Sequence, residues 1–205
     1  MFKTLKIGAV CLTALVLAVP ASASTYWATG VDWTAGDGTG GTSPRYDPSN
    51  ALGAPTNSGG IDFLSLGLSD YDGSTYSKGY ADFTFGKTFK GKATGEVFEI
   101  TWGNRGGYPE FAKVFVGLNG VFTDVADIVN SVASGLQFNY SGEFDTVRIL
   151  DTTRFETNDQ TPRSTDGFDV DAVGVTAPVP LPPAALALGA ALAGLGFVGR
   201  RRNRS

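Results

Sequence analysis

The 205-residue chain has no histidine and a single cysteine, Cys11. The commonest zinc sites, nucleophiles built on His or Cys, and the Ser-His-Asp triad are therefore excluded. No disulfide can form within the chain, so a hydrophobic core must hold it together. Basic charge is scarce where it would matter. Six of the sixteen basic residues (Lys3, Lys6, Arg200, Arg201, Arg202 and Arg204) sit at the two ends, leaving ten against twenty acidic side chains in between. Such a surface repels phosphate backbones, and no nucleic-acid partner is expected. The middle also lacks any apolar run of membrane-spanning length.

Both ends read as processing signals. Met1 to Lys6 is a short basic region, Ile7 to Val19 is apolar, and Ala21-Ser22-Ala23 has the small-x-small pattern that signal peptidase accepts, so residues 1–23 are expected to be removed. Val10 fits poorly with the small residue required before a lipoprotein cysteine. At the other end, Leu181 to Gly199 runs nineteen residues without a charge, about 28 Å as a helix and close to one hydrocarbon core. Its Ala and Gly content suits a transient anchor, and the Arg cluster after it should stay cytoplasmic. The order of Val179-Pro180-Leu181-Pro182, apolar helix and Arg200-Arg201-Arg202 closely resembles the PEP-CTERM class of bacterial sorting tails, in its Val-Pro-Leu-Pro variant. That resemblance implies an exosortase-type sorting enzyme that cuts near the motif. It implies an exported protein that passes through a membrane-anchored intermediate to the cell surface or extracellular matrix. The expected organisation is signal peptide 1–23, domain 24–177 and sorting tail 178–205.

The middle reads as all-β. Short apolar or alternating segments recur between Gly, Asn, Asp and Ser clusters: Ile61 to Leu68, Tyr80 to Phe85, Glu96 to Trp102, Lys113 to Gly117, Val121 to Thr123, Leu136 to Tyr140, Thr146 to Leu150 and Phe168 to Val175. Asn119-Gly120 is the clearest hairpin turn, because both residues tolerate the positive φ that a tight turn needs. Asp124 to Ala133 reads equally as a short helix or a loop, while 36–57 and 152–165 read as polar connections. This spacing predicts a two-sheet, jelly-roll-like β-sandwich. Phe98, Ile100, Val114, Val116, Val147, Ile149, Phe168 and Val170 are expected in its core.

Six segments together carry a second resemblance: Asp47 to Pro55, Phe63 to Gly67, Val97 to Ile100, Glu110 to Val116 with its Asn119-Gly120 turn, Val147 to Asp151, and Asp166 to Val173. In this order they look like the galactose-binding-like jelly-roll module of bacterial surface proteins. The resemblance implies a β-sandwich, a structural Ca²⁺ where the chain ends meet, and glycan binding through loops at one rim.

The residues themselves concentrate chemistry in Asp166-Gly-Phe-Asp-Val-Asp. Strand alternation puts Phe168, Val170 and Ala172 on one face and Asp169 and Asp171 on the other, with Asp166 at the entering turn. A Ca²⁺ ion takes six to eight oxygens, and Asp47 and Asn50 could complete a set with Asp166, Asp169 and Asp171 if the ends meet. The alternative is a set of turn and strand carboxylates facing water. Asp70-Tyr71-Asp72-Gly73-Ser74 lacks the spacing of an EF-hand and reads as an Asp-Gly turn. Gly36 to Gly41 satisfies G-x-G-x-x-G formally, but no strand precedes it and no helix follows, so it reads as a flexible loop. Glu99, read as outward-facing, and Glu110 are rim or surface carboxylates rather than a glycosidase pair. Trp102 and Tyr108, flanking a Gly-rich loop, are the candidate sugar-stacking rings. The expected function is a non-catalytic surface or matrix module that binds extracellular polysaccharide. A structural adhesion protein is the alternative, and a secreted hydrolase fits less well.

Overall fold

The computed structural model describes residues 23–39, 43–56, 62–100, 109–130, 135–158 and 166–178. These belong to one compact unit, Ala23–Val179. Its strands are β1 (Ala23–Trp27), β2 (Gly30–Thr34), β3 (Leu64–Ser65), β4 (Tyr80–Glu99), β5 (Phe111–Leu118), β6 (Val121–Val129), β7 (Leu136–Asp151) and β8 (Asp169–Pro178). One short helix, α1 (Thr153–Thr157), and two 3-10 turns, Pro44–Tyr46 and Pro48–Ala51, complete the described elements. None of these helices is long and apolar enough to cross a membrane.

The strands form a jelly-roll-like β-sandwich whose hydrogen bonding is continuous: β1-β8-β4-β7-β5-β6, with β2 on β4 and β3 on β8, every pairing antiparallel. Long strands make this possible. The segment expected at 80–85 and residues 96–99 of that expected at 96–102 lie along one twenty-residue strand, β4, and those expected at 136–140 and 146–150 are the two parts of β7. Thr84 faces Thr146 but Phe89 faces Phe144, so several extra residues bulge from β4 between them. Gly86 sits in that bulge at φ +65°, a conformation that costs glycine little. A bulge bends its strand. Before it, β4 pairs with β2 and β7 with β5; beyond it, β4 pairs with β8, which in turn pairs with β1. One apolar cluster joins inward residues of both parts: Phe83, Val114, Val147 and Ile149 with Phe89, Phe138, Phe144, Val97, Val173 and Val175.

The Asn119-Gly120 turn forms as expected, with φ values of +52° and +79°, and joins β5 to β6. Asp124 to Val129 is neither helix nor loop: it continues β6, which its β-branched residues favour once β5 offers an edge to pair with. Six of the eight expected core residues are buried. Phe98 and Ile100 are the exceptions, since Val97 and Glu99 turn inward instead. Phe98 packs on Trp27 on the other face, with ring centroids 5.7 Å apart. The start of the Gly-rich segment is held rather than loose: Gly36 donates to Leu66 O, and Asp37 and Leu68 exchange backbone hydrogen bonds. A side chain at Gly36 would strike the backbone of Gly67 at 2.4 Å, so glycine is needed for this close approach. Asp72 accepts from the backbone N–H of Ser74 and Thr75, the Asp-Gly turn expected there.

Candidate functional site

In an antiparallel ladder, residues directly opposite one another share a face. The registers of β2, β4, β7, β5 and β6 therefore set Asp32, Asp82, Arg148, Phe115 and Asp124 abreast on the outer face. The adjacent row is Gly30, Thr84, Thr146, Gly117 and Phe122. Two glycines in that row leave room that neighbouring side chains use: a Cβ on Gly30 would meet Thr84 Oγ1 at 2.7 Å. Phe122 leans over the other; a Cβ on Gly117 would meet its ring at 2.6 Å. The result is a cleft of about 670 Å³ with Asp32 and Val31 on one side, Phe122 and Gly120 on the other, and Thr84, Thr146, Asp82 and Arg148 between them.

Arg148 is the fixed point of the cleft. Its Nε and Nη2 donate to the two carboxylate oxygens of Asp82 at 2.6 Å each, the bidentate fork that only a guanidinium makes. Nη1 donates to Tyr76 Oη at 3.0 Å. The guanidinium also lies 3.9 Å from the Phe122 ring centroid and 4.3 Å from that of Tyr80, so cation–π attraction adds to the ion pair. Burial alone would lower its pKa, but the bonds to Asp82 and Tyr76 outweigh that and raise it. Tyr76, Tyr80, Tyr71 and Phe155 form a chain of edge-on and tilted ring contacts beside it. The alternation of Val147, Arg148 and Ile149 already set Arg148 apart as outward-facing. Its partner Asp82 lies 66 residues away and carries no local signal.

The candidate calcium residues lie elsewhere, each with partners in the protein. Asp47 caps the Pro48–Ala51 turn through Ser49 N and Oγ. Asn50 donates to the carbonyls of Pro44 and Phe63, and Asp166 pairs with Arg45 at 2.5 Å. Asp171 accepts from Thr56 N and Oγ1, and Asp169 from Ser65 Oγ at 2.6 Å. Asp169 and Asp171 do not form a solvated carboxylate face: they are 3% and 1% exposed, because β3 and the segment near Thr56 pack over them. Burial and then the Asp166 charge push the pKa of Asp169 well up; the Ser65 hydroxyl pulls it down, Glu99 adds to the rise, and Arg45 opposes it. Glu99 is itself buried, contrary to the outward placement expected from its neighbours. Among the described residues no three His, Cys, Asp or Glu side chains come together as a metal-holding group. Trp102, Tyr108 and the sorting motif lie outside the described residues.

A further acid was missed in the sequence. Asp151, at the end of β7, is fully buried and accepts from Ser69 N, Thr153 Oγ1 and Phe168 N. Burial pushes its pKa up to about 6 despite those donors. It fastens three loop segments at one point.

No protein-family model matches the chain, and no curated protein matches it. Among solved structures it is similar to a truncated AlyQ with CBM32 and alginate lyase domains, at TM-score 0.43 and 13% identity over 78% of this chain and 35% of that one. It is similar to the CBM32 of AlyQ in complex with 4,5-unsaturated mannuronic acid, at TM-score 0.40 and 14% identity over 74% of this chain and 97% of that one. The family 32 CBM from C. perfringens NanJ in complex with galactose has TM-score 0.32 and 16% identity over 76% and 92%. The chain thus spans about a third of the first of these proteins. The sandwich described above rests on this chain's own strand pairing.

Proposed function

We propose that the protein is an exported, non-catalytic surface or matrix module that holds a glycan residue in the sheet-face cleft. The observation that carries this reading is the cleft's lining: the partly exposed ring of Phe122 opposite carboxylates and threonine hydroxyls. A sugar ring has an apolar C–H face and a rim of hydroxyls, which such a lining complements. The volume falls within the range of small-ligand pockets. Asp82 commits both oxygens to Arg148, leaving Asp32 without a second free carboxylate among the described lining residues, and an acid-base pair across a glycosidic bond needs two.

Export and sorting are part of the proposal. The order of Val179-Pro180-Leu181-Pro182, apolar run and Arg cluster supports it, with signal peptidase and an exosortase-type enzyme as partners. The strand pairing supports it as well: Ala23 lies opposite Pro178, so a cut after Ala23 and one beyond Pro178 both spare the sandwich. Mass spectrometry of the exported protein should find a new amino terminus near Ser24 and no Arg cluster. A form still ending at Ser205 in cells containing the sorting enzyme would refute the sorting.

The glycan reading is tested by applying the mature protein to a glycan array beside Phe122→Ala. Saturable binding weakened at least about tenfold by the substitution, the loss of a stacking contact and its buried area, is the expected result. Retention that depends only on other proteins would instead make this a structural adhesion module.

A further inference from the structure

Granted the glycan reading of this cleft, on which this rests, we infer that it selects a neutral or amino-bearing sugar residue and rejects uronates and sulfated sugars. The inference follows from which hydrogen-bonding groups remain for a ligand. Asp32 and Asp82 stand directly opposite each other on β2 and β4. Like charges so placed repel, and Arg148 answers only Asp82. Asp32 is exposed and makes no hydrogen bond or ion pair among the described residues.

Among the described residues the cleft has one cation, and it is committed. Arg148 gives Nε and Nη2 to Asp82 and Nη1 to Tyr76, while Phe122 and Tyr80 lie against its guanidinium. Thr146 Oγ1 donates to Asp145 Oδ1, leaving lone pairs for a ligand. At the far end of the row, Lys113 is claimed by Asp124 and Asp127. The lining therefore offers the Asp32 carboxylate, the threonine hydroxyls and net negative charge, and charge is what sets its preference. A ligand hydroxyl or ammonium can donate to Asp32; a ligand carboxylate finds repulsion there and, among the described residues of the lining, no free cation to answer it.

The test is titration of the mature protein with a neutral polysaccharide, a de-N-acetylated amino polysaccharide and a uronate polymer of matched length, at low and high salt. At low salt the uronate polymer should bind about tenfold or more weakly than the neutral one, the effect of one like-charge contact at the surface. High salt should narrow the gap as screening shortens. Asp32→Asn should also narrow it, and being an exposed substitution it should leave the unfolding midpoint in place. Tightest binding to the uronate polymer, unchanged by salt and by Asp32→Asn, would overturn the selectivity while leaving the glycan reading intact. Failure of all three polymers to bind would overturn the glycan reading, and the selectivity with it.

Discussion

Asp82 and Arg148 face each other across β4 and β7 and are joined by two hydrogen bonds of 2.6 Å, with Tyr76 holding the third side of the guanidinium. The pair sits between the threonine row of the cleft and the aromatic contacts of Tyr76 and Tyr80, so it shapes the site and ties the 66–79 segment to the sheet.

Arg148→Ala should therefore cost about 1.5–3 kcal/mol, the range for losing hydrogen bonds to a charged group that is partly buried. Arg148→Lys should recover only part, because an ammonium cannot form the planar fork or lie flat on Phe122. Urea unfolding of the two variants measures this. Equal stability of wild type and Arg148→Lys would mean that the fork itself contributes little.

Two buried acids predict an unusual pH profile. The folded pKa of Asp151 is about 6 against an ordinary value of 3.8, and that of Asp169 is also raised. A raised acid pKa means that the folded state binds the proton more tightly than the unfolded chain. Its stabilisation is present at low pH and is lost as pH climbs from the unfolded to the folded value. Asp37, Asp47, Asp70 and Asp72, with lowered values, act in the opposite sense, but only as pH falls below about 3.8. Stability should thus be greatest near pH 4–5 and decline by on the order of 1–3 kcal/mol toward neutrality. The profile of Asp151→Asn should be flatter, whatever its absolute stability. Urea midpoints that rise steadily from pH about 4 to pH about 8 would contradict this.

Strand phase is testable with two phenylalanines. Phe144 is 1% exposed and stacks on Phe89 with centroids 5.0 Å apart, so Phe144→Ala should cost about 3–5 kcal/mol. Phe98 is only half-buried on the outer face, and its removal should cost clearly less. Thermal or urea melts rank the two. A larger loss at Phe98 would put the inner face of β4 out by one residue.

Calcium at Asp47, Asn50, Asp166, Asp169 and Asp171 is a proposal that chelation can decide. A bound ion would stabilise the fold by mass action, so EDTA would lower the melting temperature and Ca²⁺ would restore it. The carboxylates among these five are held by Ser49, Arg45, Ser65 and Thr56. A melting curve indifferent to EDTA would leave the carboxylates to those protein partners alone. A reversible, Ca²⁺-specific shift that vanished in Asp169→Asn would instead show that the seam rearranges round a metal.

The class of fold was legible because its cues are local. Period-two alternation in 111–118 and 146–150 marks which side chains point inward, and Asn119-Gly120 supplies the positive φ of the hairpin. Where both alternating sets contain apolar residues, as in Val97-Phe98-Glu99-Ile100, alternation cannot choose a face. There the packing of Trp27 over Gly174 and against Phe98 gave the outer face an apolar cover of its own.

The sequence alone determined the absence of His and of any disulfide, the acidic middle and the order of processing-like segments, all properties of composition and adjacency. Tertiary structure decided the rest. It brought Asp32, Asp82 and Arg148 abreast, enclosed Asp151, and gave Asp169 and Asp171 to Ser65 and Thr56. Those outcomes depend on cross-strand register and on the β4 bulge between Thr84 and Phe89. Register is a relation between distant segments, fixed by the shared burial of both faces of a sandwich and by nothing written at either residue alone.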